Sequence, residues 1–412
     1  MLLVETAEQT EEQIRRGLSR LQAAELLYEA RLFPAPEYTF KHALTHEVAY
    51  GGILQDRRRS IHARILKVME RVHADRLSEH VDRLAHHAFR GEVWDKALHY
   101  LRRLGTTDSR PRVDTLIGGP ESAGYLWIHG EHEHALTVAL RDRAVAASFG
   151  SFRDTVRANY RLGQIYYSLG DYASATEALQ RNVALLEGDL RHEFFGLAGL
   201  PAVMSGAWLA LCLGELGRFE EATVQAEMAV ALAREVDHPF TVVVAHVGTG
   251  MLELLRGEYA KVVEPLEQAL VITRLSDIPL LFPVVAAPLG LAYAFQGRHA
   301  DAIRLLEEAI ERTEAMELGA NNALRLVWLG RVQMLLGNSD VARRLGLRGL
   351  EMARRRRERG HEAYALQLLG EVTRQAPYQD EAQAAEYTRA AVALAESLGM
   401  RTLAAALAER EA

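Results

Sequence analysis

At 412 residues, with 49% hydrophobic and 25% charged residues, the chain has the make-up of a folded protein, with room for two or three compact domains or one long array. A net charge of −7 argues against a surface given over to nucleic acid or anionic lipid. One cysteine, Cys212, excludes an intramolecular disulfide and points to a reducing cytoplasm, and no secretory signal opens the chain.

Only four of the 48 basic residues are lysines (Lys41, Lys67, Lys96 and Lys261), which reads as the coding habit of a GC-rich bacterium. Abundant Ala, Leu, Glu and Arg favour helices, because such side chains lose little freedom there. Residues 1–75 read separately from the rest. Leu26–Phe33 and Glu37–Lys41 flank Pro34-Ala-Pro36 and predict a short hairpin, between helices at about 10–25 and 42–55. Together they would make a winged-helix-like remnant.

From residue 76 onward a repeat dominates. A turn glycine followed by a helix start recurs at Gly170, Gly217, Gly257, Gly297 and Gly337; the last three steps are 40 residues each. The step of 47 from Gly170 to Gly217 places a seven-residue insertion within 187–200. The same ruler reaches back to Gly130 and Gly91 and forward to Pro377, making eight turns. Seven residues before each turn stands a small residue, such as Gly163, Gly250, Gly290, Gly330 and Gly370. Five residues after it stand Ala135, Ala175, Ala222, Val262, Ala302, Ala342 and Ala382. Small residues at matching points let paired helices approach closely. Each unit is therefore helix A, a turn, then helix B, and stacked units share one core.

The uncharged stretch from Ile278 to Gln296 is long enough to span a bilayer on paper. Pro279, Pro283 and Pro288 interrupt it, and its repeat phase makes it a buried helix A. Pro288 should bend that helix and free carbonyls for a ligand, or be a tolerated kink.

The small–turn–small pattern resembles tetratricopeptide repeats, and the longer period resembles the superhelical repeats of maltose-regulator-type ATPases. Tyr38-Thr-Phe-Lys-His-Ala-Leu-Thr-His-Glu-Val-Ala-Tyr50, with Arg57-Arg-Arg-Ser-Ile-His-Ala-Arg64, resembles a signature of bacterial proteins in which a class III adenylate/guanylate cyclase precedes a signal-transduction ATPase and a tetratricopeptide-like tail. Leu84-Ala-His-His-Ala-Phe-Arg-Gly-Glu-Val-Trp-Asp-Lys-Ala97 and Glu358-Arg-Gly-His-Glu-Ala363 carry the likeness further. Residues 105–130 depart from it and look shortened. The resemblance implies an all-α, right-handed α-solenoid of about 40-residue helix-turn-helix units over 76–412, after the winged-helix-like linker at 1–75. It also implies an ATPase or cyclase module as a partner in cis.

Chemistry is largely missing from the residues themselves. A P-loop needs Gly-Lys before Ser or Thr, and the lysines follow Phe40, Leu66, Asp95 and Ala260. His129-Gly-Glu-His-Glu-His134 and the pair His42 and His46 have spacings that zinc sites use. The repeat offers another account, since His132 and His299 fill the slot that Tyr172, Phe219 and Tyr259 occupy elsewhere. Adjacent His86 and His87 point to different helix faces. Cys212 on an apolar helix reads as a buried, inert thiol. Arg57-Arg-Arg59 and Arg354-Arg-Arg-Arg357 could grip phosphate but sit near helix ends, where cations complement the dipole. Glu220-Glu221 and Glu307-Glu308 read as outer-face residues of B helices. No catalytic, cofactor-binding or metal-binding residue is assigned, and no partner-binding residue can be named.

The expected function is a non-catalytic protein-protein interaction and sensor scaffold, with a protein or peptide on the concave face lined by A helices. The expected context is the regulatory region of a bacterial signalling ATPase or cyclase, cytoplasmic and without a membrane span. The alternative is a transcription-regulator sensor domain taking a small inducer, or DNA through the N-terminal remnant. The final stretch from Met400 reads as another helix A with an apolar, uncapped Leu403-Ala-Ala-Ala-Leu407.

Overall fold

The computed structural model describes residues 6, 7, 10–24, 26–31, 37–40, 53, 55–91, 93, 96, 100, 122–276 and 278–408. The chain forms two compact units, 1–116 and 117–412. The boundary read from the sequence at 75/76 falls inside the first.

In the first unit, α1 (Glu11–Ala23) begins at a reciprocal cap. The Gln13 amide donates to Thr10 Oγ1 and the Thr10 amide to Gln13 Oε1, satisfying two amides that the helix start leaves open. The predicted hairpin follows as β1 (Leu27–Arg31) and β2 (Glu37–Phe40), antiparallel with Leu27 opposite Phe40. The helix expected at 42–55, with His42 and His46, lies outside the described residues, apart from Ile53 and Gln55. Next come α2 (Gln55–Val72) and α3 (Val81–Arg90), which pack through Leu66, Met69, Leu84 and Ala88. Gly91 ends α3 without the left-handed backbone of the later turns, pressed so close to Ala63 that a Cβ would stand 2.6 Å from its nitrogen.

The second unit is an all-α repeat solenoid. A short α4 (Ala123–Ile128) pairs with α5 (His132–Phe149). The pairs α6 (Phe152–Leu169) with α7 (Tyr172–Leu185), and α8 (Pro201–Glu215) with α9 (Phe219–Val236), follow. Then come α10 (Pro239–Leu255) with α11 (Tyr259–Leu275), and α12 (Phe282–Phe295) with α13 (His299–Ala315). The array ends with α14 (Asn322–Leu335) and α15 (Ser339–Arg356), α16 (Arg359–Arg374) and α17 (Glu381–Leu398), and α18 (Arg401–Ala408). The insertion between Gly170 and Gly217 appears as a 3-10 turn at Gly188–His192 and an irregular run before α8.

The turn glycines 130, 170, 217, 257, 297 and 337 all have φ between 72° and 85°, the left-handed conformation that reverses the chain between A and B. The glycine column inside the A helices has a direct reason. A Cβ on Gly163, Gly250 or Gly290 would stand 2.4, 2.6 or 3.0 Å from Cγ of Leu179, Leu266 or Leu306 on the paired B helix. The alanine column is buried from Ala135 to Ala342, but Ala382 is exposed and Ala384 takes its place. Helix B elsewhere starts two residues after the turn glycine, whereas α17 starts at Glu381, four after Pro377, so the register slips by two. Among the described residues no helix is long and apolar enough to cross a membrane; α12, inside the uncharged stretch, has only 14 residues.

The array does not stay open. It winds until late helices meet early ones, with α16 against α6 and α18 against α8. The amides of Gly319 and Ala320 donate to the Ile128 carbonyl at 2.7 and 3.1 Å. Thr402 Oγ1 donates to the Gly214 carbonyl at 3.0 Å, and Leu403 and Leu407 are buried rather than left as an apolar end.

Candidate functional site

The closed winding surrounds a cavity of about 450 Å3. Its wall follows the repeat. Counting back from each turn, positions thirteen, nine and six share one face of helix A, since steps of four and three bring side chains above one another. Position thirteen supplies Met204, Val244, Val284 and Leu324. Position nine supplies Arg161, Trp208, Gly248, Pro288 and Trp328, and position six supplies Gly124, Gln164, Leu211 and Met251. Pro288 therefore belongs to the inner face of α12, which continues through it. Lacking an N–H, it leaves the Val284 carbonyl without its intrahelical donor.

Aromatic side chains stiffen one end. Trp127 and Trp208 meet edge to face with centroids 5.9 Å apart, Tyr167 stands 5.3 Å from Trp208, and Trp127 Nε1 donates to Ser168 Oγ at 2.8 Å.

Two arginines enter this apolar wall, His361 touches it from the seam side, and among the described residues no Asp or Glu lines it. Arg325 on α14 is only 4% exposed. Its Nη1 donates to the Ala320 carbonyl at 3.1 Å and its Nε to the Pro283 carbonyl at 3.5 Å, and among the described residues it forms no ion pair. Burial lowers its pKa to about 10, against the pull of the Glu358 charge. Arg161 on α6 is half-buried; its Nη1 donates to Gln164 Oε1 at 2.8 Å and its guanidinium lies 5.3 Å from the Tyr160 ring centre. Burial lowers its pKa as well. A smaller hollow on the other side of Arg161 contains Asp142 and Asp154. Asp142 is raised to about 6 by burial, opposed by Arg141, while Asp154 Oδ2 accepts from Ser151 at 2.5 Å.

Beside the cavity lies the closure seam, held by a fully buried carboxylate. His132 Nε2 donates to Glu358 Oε1 and His361 Nδ1 to Oε2, both at 2.9 Å, and the Asn321 amide adds a third bond at 3.2 Å. Burial pushes the Glu358 carboxyl up, but the His361 charge and the hydrogen bonds from His132 and His361 outweigh it, leaving it near 2. A second buried carboxylate, Glu215, accepts from the Tyr364 hydroxyl at 2.9 Å. Burial raises it to about 7, with Tyr364, His361 and Tyr167 offsetting part of the rise.

Arg356 Nη1 donates to the Gly319 carbonyl at 2.5 Å, so the arginine run at the end of α15 also serves the seam. Where it crosses, a Cβ on Gly319 would stand 2.1 Å from the His129 carbonyl oxygen and 2.6 Å from the Gly130 nitrogen. Both are backbone, so the seam itself would have to part. Gly319→Ala is expected to destabilise the chain by about 1–3 kcal/mol. Gly206→Ala, whose Cβ would meet Ala229 at an ordinary 3.6 Å, should be neutral or gain up to about 1 kcal/mol. Chemical denaturation of the two variants checks the contrast.

The sequence-derived candidates disperse. His129 stacks on Tyr125 with centroids 4.0 Å apart, His132 joins Glu358, and His134 Nδ1 lies 3.5 Å from Glu131 Oε2. His132 does occupy the aromatic slot, but with a hydrogen-bonding role to Glu358 that the packing account did not foresee. His87 Nδ1 lies 2.9 Å from His62 Nδ1. Among the described residues no group of three or more His, Cys, Asp or Glu is placed to hold a metal ion. Cys212 is fully buried, which pushes its thiol well up. Arg354 Nε donates to Glu362 at 2.7 Å, while Arg57 and Arg59 are exposed on α2. Glu220 and Glu221 are exposed at the start of α9, and Glu221 pairs with Arg218 at 2.6 Å. Glu308 pairs with Arg312 at 2.7 Å, beside an exposed Glu307. Sequence reasoning missed Glu358 and both cavity arginines as a site, although Arg325 and Arg161 stood in view as charges at repeat positions that are apolar or small in the neighbouring units.

The tetratricopeptide repeat family model matches residues 156–183, spanning most of α6 and most of α7. One helix pair of the all-α repeat solenoid is thus tetratricopeptide-like. Among solved structures it resembles a Rap protein complexed with competence and sporulation factor: 12% identity, TM-score 0.53, covering 83% of this chain and 97% of that one. Aspartyl phosphate phosphatase F from Bacillus subtilis shares 12% identity over 81% of this chain and 88% of that one, with a TM-score of 0.48. A signal transduction ATPase with numerous domains and a tetratricopeptide repeat sensor, from Pyrococcus horikoshii, shares 13% identity. There the match covers 100% of this chain and 57% of that one, with a TM-score of 0.41. No curated protein matches the sequence significantly. At such identities the likeness is one of fold.

Proposed function

We propose that the chain is a non-catalytic interaction and sensor scaffold, in which the inner face of the tetratricopeptide-like array takes a ligand and the array presents the outcome to a protein partner. The cavity carries this reading. Ligand sites are commonly mostly apolar hollows of roughly 300–1,000 Å3 with a few placed polar groups, and about 450 Å3 walled by A-helix positions fits that description. The similar Rap protein was solved complexed with a factor, and binding on this fold is extended here to the present chain.

The N-terminal block supports placing the array as the regulatory region of a bacterial signalling ATPase or cyclase, with residues 1–75 as a linker and the catalytic module as a partner in cis. A cytoplasmic setting accompanies that reading.

N-phenyl-1-naphthylamine, a neutral apolar dye that brightens out of water, tests the cavity. Saturable brightening is expected with the full chain and a loss of at least about tenfold in affinity with Met251→Trp, whose indole would occupy the hollow. Absence of saturable binding, or equal binding by Met251→Trp, overturns the reading.

A further inference from the structure

The cavity wall is apolar almost throughout, yet two guanidinium groups reach it and, among the described residues, no carboxylate does. Burying a cation without a partner is costly, so such groups are normally paired within the fold. Arg325 has neither been replaced nor paired. Twelve residues before the turn, the other units carry Ala158, Ser205, Ala245, Val285 and Ala365, all buried. That position asks only for a small or apolar side chain, and Arg325 breaks the pattern where α14 reaches the cavity.

The carboxylate whose charge acts on Arg325 does not satisfy it. Both oxygens of Glu358 are taken by His132, His361 and the Asn321 amide. Two carbonyls hold the Nε and Nη1 of Arg325, and among the described residues its Nη2 has no hydrogen-bond partner. Arg161 shows the same trait: among the described residues only Gln164 is hydrogen-bonded to its guanidinium. A planar fork with open N–H groups beside an apolar hollow recognises a carboxylate or a similar oxyanion.

We infer that the cavity selects ligands with a compact apolar body ending in a carboxylate, held by the guanidinium groups of Arg325 and Arg161. This rests on the ligand-binding reading above and names the ligand's chemistry. The apolar body packs on Trp208, Trp328 and Met251, and the headgroup supplies the negative charge the wall lacks. A free aliphatic or aromatic acid and the C terminus of a short apolar peptide share this chemistry.

Two dyes with a common body separate the claims in the full chain: neutral N-phenyl-1-naphthylamine and anionic 1-anilinonaphthalene-8-sulfonate. The anion is expected to bind at least about tenfold more tightly. Arg325→Met and Arg161→Met should each remove most of that preference, read as the ratio of the two dyes' affinities. Decanoate should displace the anionic dye and decanol should not. The tripeptide Leu-Phe-Leu, with a free or an amidated C terminus, reports the source. Displacement by the free form alone assigns a peptide terminus, and displacement by decanoate alone assigns a free acid. If the neutral dye binds but the anion binds no better, or both variants keep the preference, the inference is overturned and the cavity reading stands. If neither dye binds, the cavity reading itself falls. Should Arg325→Met fail to fold, the dye preference of the wild type and its loss in Arg161→Met still decide the matter.

Discussion

Glu358→Ala is expected to cost about 3–5 kcal/mol, because truncating one member of a buried pair leaves its partners in a dry site without a counterpart. Three donors lose their acceptor together: His132 from α5, His361 from α16 and the Asn321 amide at the head of α14. The damage should concentrate at the seam, and hydrogen exchange should rise at Gly319, Ala320 and Asn321 before it rises in α9 or α11. The pH dependence has a definite sign. With its folded pKa at about 2 against an ordinary 4.5, Glu358 contributes stability that is present above 4.5 and lost as pH falls towards 2. Urea denaturation between pH 3 and 7 should show the wild type losing its advantage over Glu358→Ala on acidification. A constant difference across that range would contradict the assignment.

Glu215→Gln should act in the opposite direction. Glu215 is raised from 4.5 to about 7, so between those values the folded state holds a proton that the unfolded state has released. Stability therefore falls as pH rises from 4.5 to 7, and above 7 the ionised, buried carboxylate carries its full penalty, on the order of 3 kcal/mol. Its surroundings give little relief: Tyr167, Tyr172, Tyr364 and Cys212 are all pushed up by burial and by its charge, and His361 supplies the nearest opposing charge. Glutamine keeps an oxygen for the Tyr364 hydroxyl and removes the titration. The variant should match the wild type near pH 5 and exceed it at pH 8. A variant less stable at pH 8 would show that the carboxylate is needed as an anion.

Local features were legible because local rules write them. Left-handed glycines, small residues where helices touch, and helical spacing of apolar residues recur from the Gly130 turn to the Gly337 turn, so those turns and the hairpin at Leu27–Phe40 could be located in advance. Ala382 failed for a local reason, the longer turn after Pro377. The closure was not legible. His132 and Glu358 are 226 residues apart, and Glu215 and Tyr364 are 149 apart. Their meeting depends on small rotations per unit that no single helix encodes. An extended concave face was the natural expectation, and the cavity exists because the winding is tighter. The inner wall could have been drawn from the same ruler, by reading positions thirteen, nine and six before each turn. On that ruler Arg161 appears opposite Trp208, Gly248, Pro288 and Trp328 as a cation in an apolar column.

Repeat arrays whose units touch only their neighbours unfold gradually and tolerate trimming from either end. The bonds from Ile128 to Gly319 and from Thr402 to Gly214 remove that freedom from residues 117–412. Early and late helices depend on each other, so the unit should melt in one cooperative step, and removing α18 should weaken α8 as well. Contacts across so many residues also raise the entropy that must be lost before the last bonds form, so folding should be slow for an all-helical protein.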